Sequence, residues 1–147
     1  MSNTMAVRKA TTIWTGDLIK GSGTFTTGSG ALDAQAVTWA ARTESPEGKT
    51  SPEELIAAAH SSCYSMAFSA ALGRNGTPPE ELEVTAEVTL AKVQDVPTVV
   101  SSNLNVRARI PGLAVETFNE LAEDAARNCP ISRLLSAEIN LEATLES

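Results

Sequence analysis

One long, almost wholly apolar helical segment limits the possible folds of this 147-residue chain more than any other feature. Ser51 is a suitable N-cap residue, Pro52 suits the first helical position, and Glu54 completes a capping box. The alanine-rich segment continues to Leu72, and Gly73 then provides an end signal. Few polar residues interrupt its middle, so the sequence predicts a helix that is buried on most of its sides.

A helix of this kind needs cover on several faces, whereas a single sheet covers only one. The remaining faces could be buried by a second copy of the chain. The sequence therefore predicts a tight homodimer around the long helices.

The segments before the long helix predict strands that are joined by glycine turns. β-Branched and aromatic residues are concentrated in three runs, 11–15, 23–27 and 36–42. The third run ends at Arg42, and the Ser-Pro-Glu-Gly stretch at 45–48 then breaks the strand pattern.

Strict alternation of apolar and polar residues returns after the long helix. The stretches 82–90 and 104–110 are predicted as half-buried strands that pair antiparallel, and 137–145 as a last strand. Apolar residues at helical spacing over 115–125 predict a second helix, and Pro130 suits the first position of a short third one. The order βββ-α-ββ-α-α-β indicates an α+β fold.

Length and charge narrow the classes of protein. The length fits one domain, 1–147, with a sizeable core. Lys and Arg number 11 against 18 Asp and Glu, a net charge of −7, which argues against binding to nucleic acids or to anionic lipid surfaces. No uninterrupted apolar run predicts a membrane span, and the first nine residues lack the apolar core of a signal peptide. We expect a cytoplasmic protein whose thiols are kept reduced.

The two cysteines are the candidate reactive groups. Cys63 lies deep in the long helix, three residues after His60 and so on the same helix face. Cys129 precedes Pro130 and is a candidate N-cap of the short helix, where the helix dipole favours a thiolate. Either cysteine could instead be structural, as a small core residue or as a residue at a helix junction. In a reducing compartment, however, such a pair more often serves redox or metal chemistry.

No metal or cofactor is expected. Two cysteines and one histidine make a thin ligand set, and the cysteine spacing matches no common zinc motif. The sequence also contains no glycine-rich phosphate loop and no GxSxG nucleophile turn.

A reactive thiol needs a nearby cation, because the thiolate is the nucleophile and a cation lowers the thiol pKa. Glu53, His60 and Cys63 can face one groove of the helix, but Glu53 alone would oppose ionisation of Cys63. Arg42 is the candidate cation. Each of these residues has an ordinary alternative: Arg42 as an exposed residue at a strand end, Glu53 as a first-turn acid facing the helix dipole, and His60 as a hydrogen-bonded core histidine.

Two motifs, Ser51–Cys63 and Asn128–Ser132, resemble the cysteine motifs of the osmotically inducible protein C (OsmC) and organic hydroperoxide resistance family. The resemblance extends over nearly the whole chain and includes 14–16 and 137–141. His60 stands where hydroperoxide resistance proteins usually have an aromatic residue, and their early Gly-Arg-Asp-Gly stretch is absent. The chain therefore looks more like the OsmC branch. For that branch, the resemblance points to Arg42 as the active-site arginine.

This resemblance implies an intertwined homodimer in which two curved antiparallel sheets surround a pair of long central helices, with two active sites at the interface. It also implies peroxide reduction. The Cys63 thiolate would attack the peroxide, and Cys129 would condense with the resulting sulfenic acid to form a disulfide. An external dithiol, of lipoyl type in the hydroperoxide resistance branch, would reduce that disulfide. Arg42 would hold the thiolate and polarise the peroxide, and Glu53 would orient Arg42.

The separation of Glu53 from Cys63 bears on how such a site is built. Ten residues of helix span about 15 Å, which an arginine and a carboxylate do not readily bridge. Two central helices packed antiparallel would instead bring Glu53 of one copy, together with Arg42, beside Cys63 of the other. We expect two such composite sites per dimer.

Two other functions stay open. One is a non-catalytic stress protein whose groove binds a small apolar ligand, and the other is a redox sensor that forms the same disulfide without turnover. For the enzyme, hydrogen peroxide and organic hydroperoxides are both candidate substrates.

Overall fold

In the computed structural model, which describes residues 2–146, the chain divides after Pro52 into two compact units. The first contains β1 (Ala10–Thr15), β2 (Ser22–Thr27), β3 (Gln35–Val37) and α1 (Trp39–Thr43). The second is formed by α2 (Pro52–Arg74), β4 (Glu81–Val93), β5 (Val96–Arg109), α3 (Val115–Asn128), α4 (Pro130–Leu134) and β6 (Glu138–Glu146). The helices and two three-stranded sheets within residues 2–146 confirm the predicted α+β fold.

The first sheet is antiparallel, in the order β1-β2-β3. The strand predicted over 36–42 is wrong beyond Val37, because the chain turns there into helix α1, which carries Arg42 in its last turn. Thr38 is the cause: its hydroxyl oxygen accepts the backbone N–H of Ala41 at 3.1 Å and so caps the helix. This local bond outweighs the strand preference of the surrounding residues.

Helix α2 begins at Pro52, as predicted, but it continues through Gly73 to Arg74. The chain reverses at Gly76, which has a φ of +80°. Just beyond, the N–H of Thr77 donates to the carbonyl of Leu72 at 3.0 Å. The helix ends at Arg74 because the turn that follows it requires, at the second glycine, the left-handed conformation that glycine adopts readily.

One stripe of α2 is buried, at helical spacing along its length: Glu53, His60, Tyr64, Phe68 and Leu72. The opposite face is open, and Met66 on that face is 71% exposed. The buried stripe accounts for one face of α2, and the burial of its other faces by a second copy of the chain stays a prediction.

Length and composition alone would allow α2 to cross a membrane. Its most apolar 18-residue window has a mean hydropathy of 1.2, and 28% of that window is buried in the structure. The expectation of no membrane span rested on the absence of an uninterrupted apolar run. Core helices of proteins outside membranes meet the same length and composition criteria, and the buried stripe of α2 belongs to the core of the second unit.

The second sheet is mixed, in the order β4-β5-β6. β4 and β5 pair antiparallel, as predicted, with Val84 opposite Val106. β5 and β6 pair parallel, with Leu104 opposite Leu141, so the expectation of purely antiparallel sheets is wrong here. The parallel pair arises because α3 and α4 form the crossover between these two strands.

The core of the second unit lies between β5 and the helices. β5 turns its buried residues inward at every second position: Ser102, Leu104, Val106 and Ala108. Aromatic rings connect α2 to α3, with the Phe68 centroid 5.6 Å from Tyr64 and 5.7 Å from Phe118. Cys129 belongs to the same cluster, and Cys63 packs against it. The core therefore holds one face of α2 close to the segment that carries Cys129.

Candidate active site

Two free cysteines from distant parts of the sequence lie next to each other in the second unit. Cys63 of α2 is half-buried, whereas Cys129, between α3 and α4, is 0% exposed. Their side chains share a hydrogen bond. The structure thus brings together two of the four residues that the sequence predicted for the site.

The surroundings of Cys63 hold the pKa of its thiol above the ordinary value. Loss of hydration on burial is the largest cause, and the neighbouring Cys129 adds to the rise. The backbone N–H of Ile131 donates to the Cys63 sulfur and opposes the rise. These neighbours favour the protonated thiol, so a thiolate at this position needs a further positive charge nearby.

Cys129 is the junction residue between two helices. Its backbone N–H donates to the carbonyl of Ala125 at 2.9 Å, and its own carbonyl accepts the N–H of Arg133 at 3.0 Å. It precedes Pro130 and occupies the N-cap position of α4, as predicted, but its side chain makes no capping hydrogen bond. The sulfur contacts Cys63 instead.

His60 is wholly buried one turn before Cys63 and bonds to two serines. Its Nδ1 lies 2.6 Å from the Oγ of Ser102, and its Nε2 lies 2.7 Å from the Oγ of Ser132. Burial lowers the pKa of the imidazole, which favours the neutral ring with one donor and one acceptor nitrogen. His60 is therefore a hydrogen-bonded core histidine, and its partners connect α2 to β5 and to α4.

Tyr64 connects the same part of α2 to α3. Its hydroxyl donates to the carbonyl of Ala122 at 2.9 Å. Burial, with a smaller contribution from Cys129, raises the pKa of this phenol, so it stays neutral at physiological pH. The residues on both sides of Cys63 thus hold α2 against its neighbours.

Glu53 and Arg42 are the other two residues that the sequence predicted for the site. Glu53 lies in the first turn of α2 and is 8% exposed. About 15 Å of continuous helix separates it from Cys63, so these two residues are not brought together within one chain. Arg42 belongs to the first unit, where its guanidinium carbon lies 5.8 Å from the centre of the Trp39 ring. A place for Arg42 beside a cysteine stays a prediction.

Sequence reasoning missed three groups around the cysteines: Ser102, Ser132 and the backbone N–H of Ile131. Ser102 carried a signal, because it is in phase with the inward apolar residues of β5 and a polar group on a buried face needs a partner. Ser132 lies within the Cys-Pro-Ile-Ser motif. Ile131 makes its contact with the Cys63 sulfur through its backbone N–H, so the side-chain type at position 131 does not predict it.

The cysteine pair and His60 do not form a ligand set for a metal ion. In the part of the chain that the structure describes, no group of three or more His, Cys, Asp or Glu side chains is arranged to hold one.

Similarity to known proteins identifies the family of this chain. The family model described as OsmC-like protein matches residues 45–144. The chain is also 39% identical over 140 residues to Peroxiredoxin OsmC of Escherichia coli K12, which covers 95% of this chain and 97% of that protein. The chain belongs to the OsmC family. The family predicted from the two cysteine motifs is thereby confirmed.

Hydroperoxide resistance proteins are also relatives of this OsmC-family chain. Organic hydroperoxide resistance protein-like 1 of Staphylococcus epidermidis RP62A is 33% identical over 104 residues, which is 68% of this chain and 72% of that protein. Among solved structures, an OsmC-like protein of unknown function from Vibrio cholerae matches with a TM-score of 0.77 at 18% identity, covering 95% of this chain and all of that one. The fold is therefore that of OsmC-like proteins.

Proposed function

We propose that this OsmC-family protein is a thiol-dependent peroxidase that reduces organic hydroperoxides, hydrogen peroxide or both. Cys63 is the attacking thiol, Cys129 is the resolving thiol, and an external dithiol of lipoyl type is the reductant. The observation that carries the proposal is the contact between one half-buried free thiol and one wholly buried free thiol. The names of the E. coli and S. epidermidis relatives support peroxides as the substrate class.

The reaction proceeds in three balanced steps. The Cys63 thiolate attacks the distal peroxide oxygen, so that an S–O bond forms while the O–O bond breaks, and the alkoxide takes up a proton and leaves as alcohol. Cys129 then attacks the Cys63 sulfur, the S–O bond of the sulfenic acid breaks, and water leaves as the disulfide forms. The dithiol reduces this disulfide by exchange and is itself oxidised to a disulfide. With hydrogen peroxide, the first leaving group is water.

Arg42 is proposed as the cation that activates Cys63. Burial raises the pKa of the Cys63 thiol, and the N–H of Ile131 opposes this only in part. A guanidinium remains charged at any physiological pH and lowers the pKa of an adjacent thiol. Arg42 would hold the thiolate and polarise the peroxide, and Glu53 would orient Arg42.

The proposed enzyme is a homodimer whose sites combine residues from both copies. The distance of about 15 Å along α2 between Glu53 and Cys63 supports this arrangement. So does the exposed face of α2 that includes Met66, because antiparallel packing of two α2 helices would cover it. We further propose that the two units of each chain act as one domain, and that the protein works in the cytoplasm, where reducing thiols can restore the cysteine pair.

Steady-state peroxide consumption tests the proposed function. The protein is mixed with cumene hydroperoxide, tert-butyl hydroperoxide or hydrogen peroxide, with and without dihydrolipoamide. We expect each chain to consume many equivalents of peroxide with the dithiol and only one without it. Oxidation without turnover would indicate a redox sensor, and no consumption would indicate a binding protein; either result would contradict the proposal.

Mixed dimers test the composite site. The Cys63→Ser variant and the Arg42→Ala/Glu53→Ala double variant carry different affinity tags and are co-expressed, so that the heterodimer can be isolated. Both homodimers should be inactive. The heterodimer has one site with every defect and one with none, and should therefore recover up to half of the wild-type activity. A folded heterodimer without activity would show that the site is built within one chain.

A further inference from the structure

A buried Ser–His–Ser hydrogen-bond network lies beside the cysteine pair. It connects Ser102 of β5 to Nδ1 of His60 at 2.6 Å, and Nε2 of His60 to Ser132 of α4 at 2.7 Å. His60 and Ser102 have no exposed surface, and Ser132 is 9% exposed. Buried polar groups are tolerated when they are hydrogen-bonded to one another, as these are. The three steps of the proposed reaction use none of these side chains.

The Ser–His–Ser network connects the two segments that carry the cysteines. His60 lies one turn before Cys63 on α2, and Ser132 follows Cys129 by three residues on α4. The N–H of Ile131, next to Ser132, donates to the Cys63 sulfur. Two successive residues in the first turn of α4 therefore bond to one face of α2.

Helix α4 is short, so a directional contact helps to fix its orientation. It has five residues, and isolated helices of that length are not stable in water. Leu134 at its end is 73% exposed, so the apolar contact of the helix is made by Ile131, which packs against the core but does not fix an orientation. The bond from Ser132 to the buried His60 is a directional contact that fixes α4 against α2.

We propose that His60 is a positioning residue for the resolving cysteine. Through Ser132 it holds α4 so that the Cys129 sulfur and the Ile131 N–H both face Cys63, and this speeds formation of the Cys63–Cys129 disulfide. The inference rests on the roles proposed for the two cysteines. The rate of attack between two held groups depends strongly on their orientation, and a misplacement of about 1 Å can cost about a hundredfold.

Disulfide formation can be measured without peroxide. One equivalent of 4,4′-dithiodipyridine reacts with the Cys63 thiol. One thiopyridone is released, and the second pyridyl group stays bound to Cys63 as a mixed disulfide. Cys129 then attacks the Cys63 sulfur, the bond to the pyridyl sulfur breaks, and the second thiopyridone leaves. The same mixed disulfide in a Cys129→Ser background is attacked by an external monothiol. The ratio of the two rate constants is the effective concentration of Cys129.

Two serine variants separate positioning from general stability. Ser132→Ala removes the hydroxyl between His60 and α4, whereas Ser102→Ala removes the matching hydroxyl on the other side of the same ring. We expect Ser132→Ala to lower the effective concentration of Cys129 at least about tenfold, and Ser102→Ala to lower it less than about threefold. Ser132→Thr, which keeps the hydroxyl, should restore most of the loss. Equal losses in the two alanine variants, or no loss in Ser132→Ala, would overturn the positioning role.

His60→Asn should behave like Ser132→Ala, and circular dichroism checks that each variant is folded. If His60→Asn does not fold, the serine variants decide whether His60 has a positioning role.

Peroxide consumption, measured in parallel, distinguishes failure of the positioning role from failure of the proposed function. Absence of peroxide consumption in the wild type would overturn the proposed function, while a specific Ser132→Ala loss would still support positioning by His60. Peroxide turnover in the wild type with an unchanged effective concentration in Ser132→Ala would overturn the positioning role alone.

Discussion

The sulfurs of Cys63 and Cys129 are in contact, but the segments that carry them differ in helix continuity and in burial. Cys63 is in the middle of a continuous 23-residue helix and is half-buried. Cys129 is a junction between two helices and is wholly buried. We infer that a peroxide from solution can reach the first sulfur, whereas the second is placed to react with its neighbour. This difference supports the proposed roles, with the accessible Cys63 as the attacking thiol and the buried Cys129 as the resolving one.

The largest expected effect comes from removing the sulfur at the less buried member of the pair. Cys63→Ser should reduce peroxide consumption to the rate of buffer alone, because no second accessible thiol replaces it. Steady-state assays with a dithiol measure the rate, and circular dichroism checks the fold. Activity that survives in Cys63→Ser and disappears in Cys129→Ser would reverse the roles assigned to the two segments.

Removing the buried sulfur should stop turnover without stopping the first reaction. Cys129→Ser should react with peroxide once, at close to the wild-type rate, and then accumulate sulfenic and more oxidised forms of Cys63. Stopped-flow kinetics measures the first reaction, and mass spectrometry identifies the oxidised residue. Sustained turnover in this variant with the dithiol would mean that Cys129 is not needed for resolution.

Arg42 is expected to change the ionisation of Cys63. Removal of an adjacent cation raises a thiol pKa, so Arg42→Ala should slow the first reaction at neutral pH and shift its pH–rate profile to the alkaline side. Each unit of pKa shift changes the thiolate fraction about tenfold below the pKa. Arg42→Lys, which keeps the charge, is the matched control and should shift the profile less. An unchanged profile in Arg42→Ala would exclude Arg42 as the partner of the thiolate.

The smallest effect concerns the support of α2 near the pair. Tyr64→Phe removes the hydroxyl that donates to the Ala122 carbonyl at 2.9 Å and leaves the ring packing in place. The free energy of unfolding should fall by about 1 kcal/mol, while the rate of disulfide formation should change little. Urea unfolding measures the first quantity. A large loss of disulfide formation would show that Tyr64, like His60, positions the cysteines.

Regular segments of this molecule could be predicted from the sequence because their signals are local. Pro52 marks the start of α2, and the alternation of apolar residues over 82–90 and 104–110 identifies the antiparallel pair β4 and β5. The same logic failed at residues 38–43, where the side chain of Thr38 caps a short helix in a stretch rich in strand-forming residues.

The surroundings of the cysteines could be predicted only in part. The residue types and motifs in the sequence indicate Cys63 and Cys129, and the family resemblance implies that they come into contact. The bond between His60 and Ser102 joins residues 42 positions apart, so no local pattern specifies it. The contact of the Ile131 N–H with Cys63 depends on the backbone path of a five-residue helix. Such features arise from tertiary packing.

The central claim is that peroxide joins these two segments by a disulfide within one chain. Fully reduced protein is treated with one equivalent of organic hydroperoxide, and thiols are counted while mass spectrometry of a proteolytic digest locates the oxidised residues. We predict rapid loss of both thiols and a Cys63–Cys129 linkage within the chain, which a dithiol reverses. Two thiols that remain free, a disulfide between chains, or first oxidation at Cys129 would contradict the account.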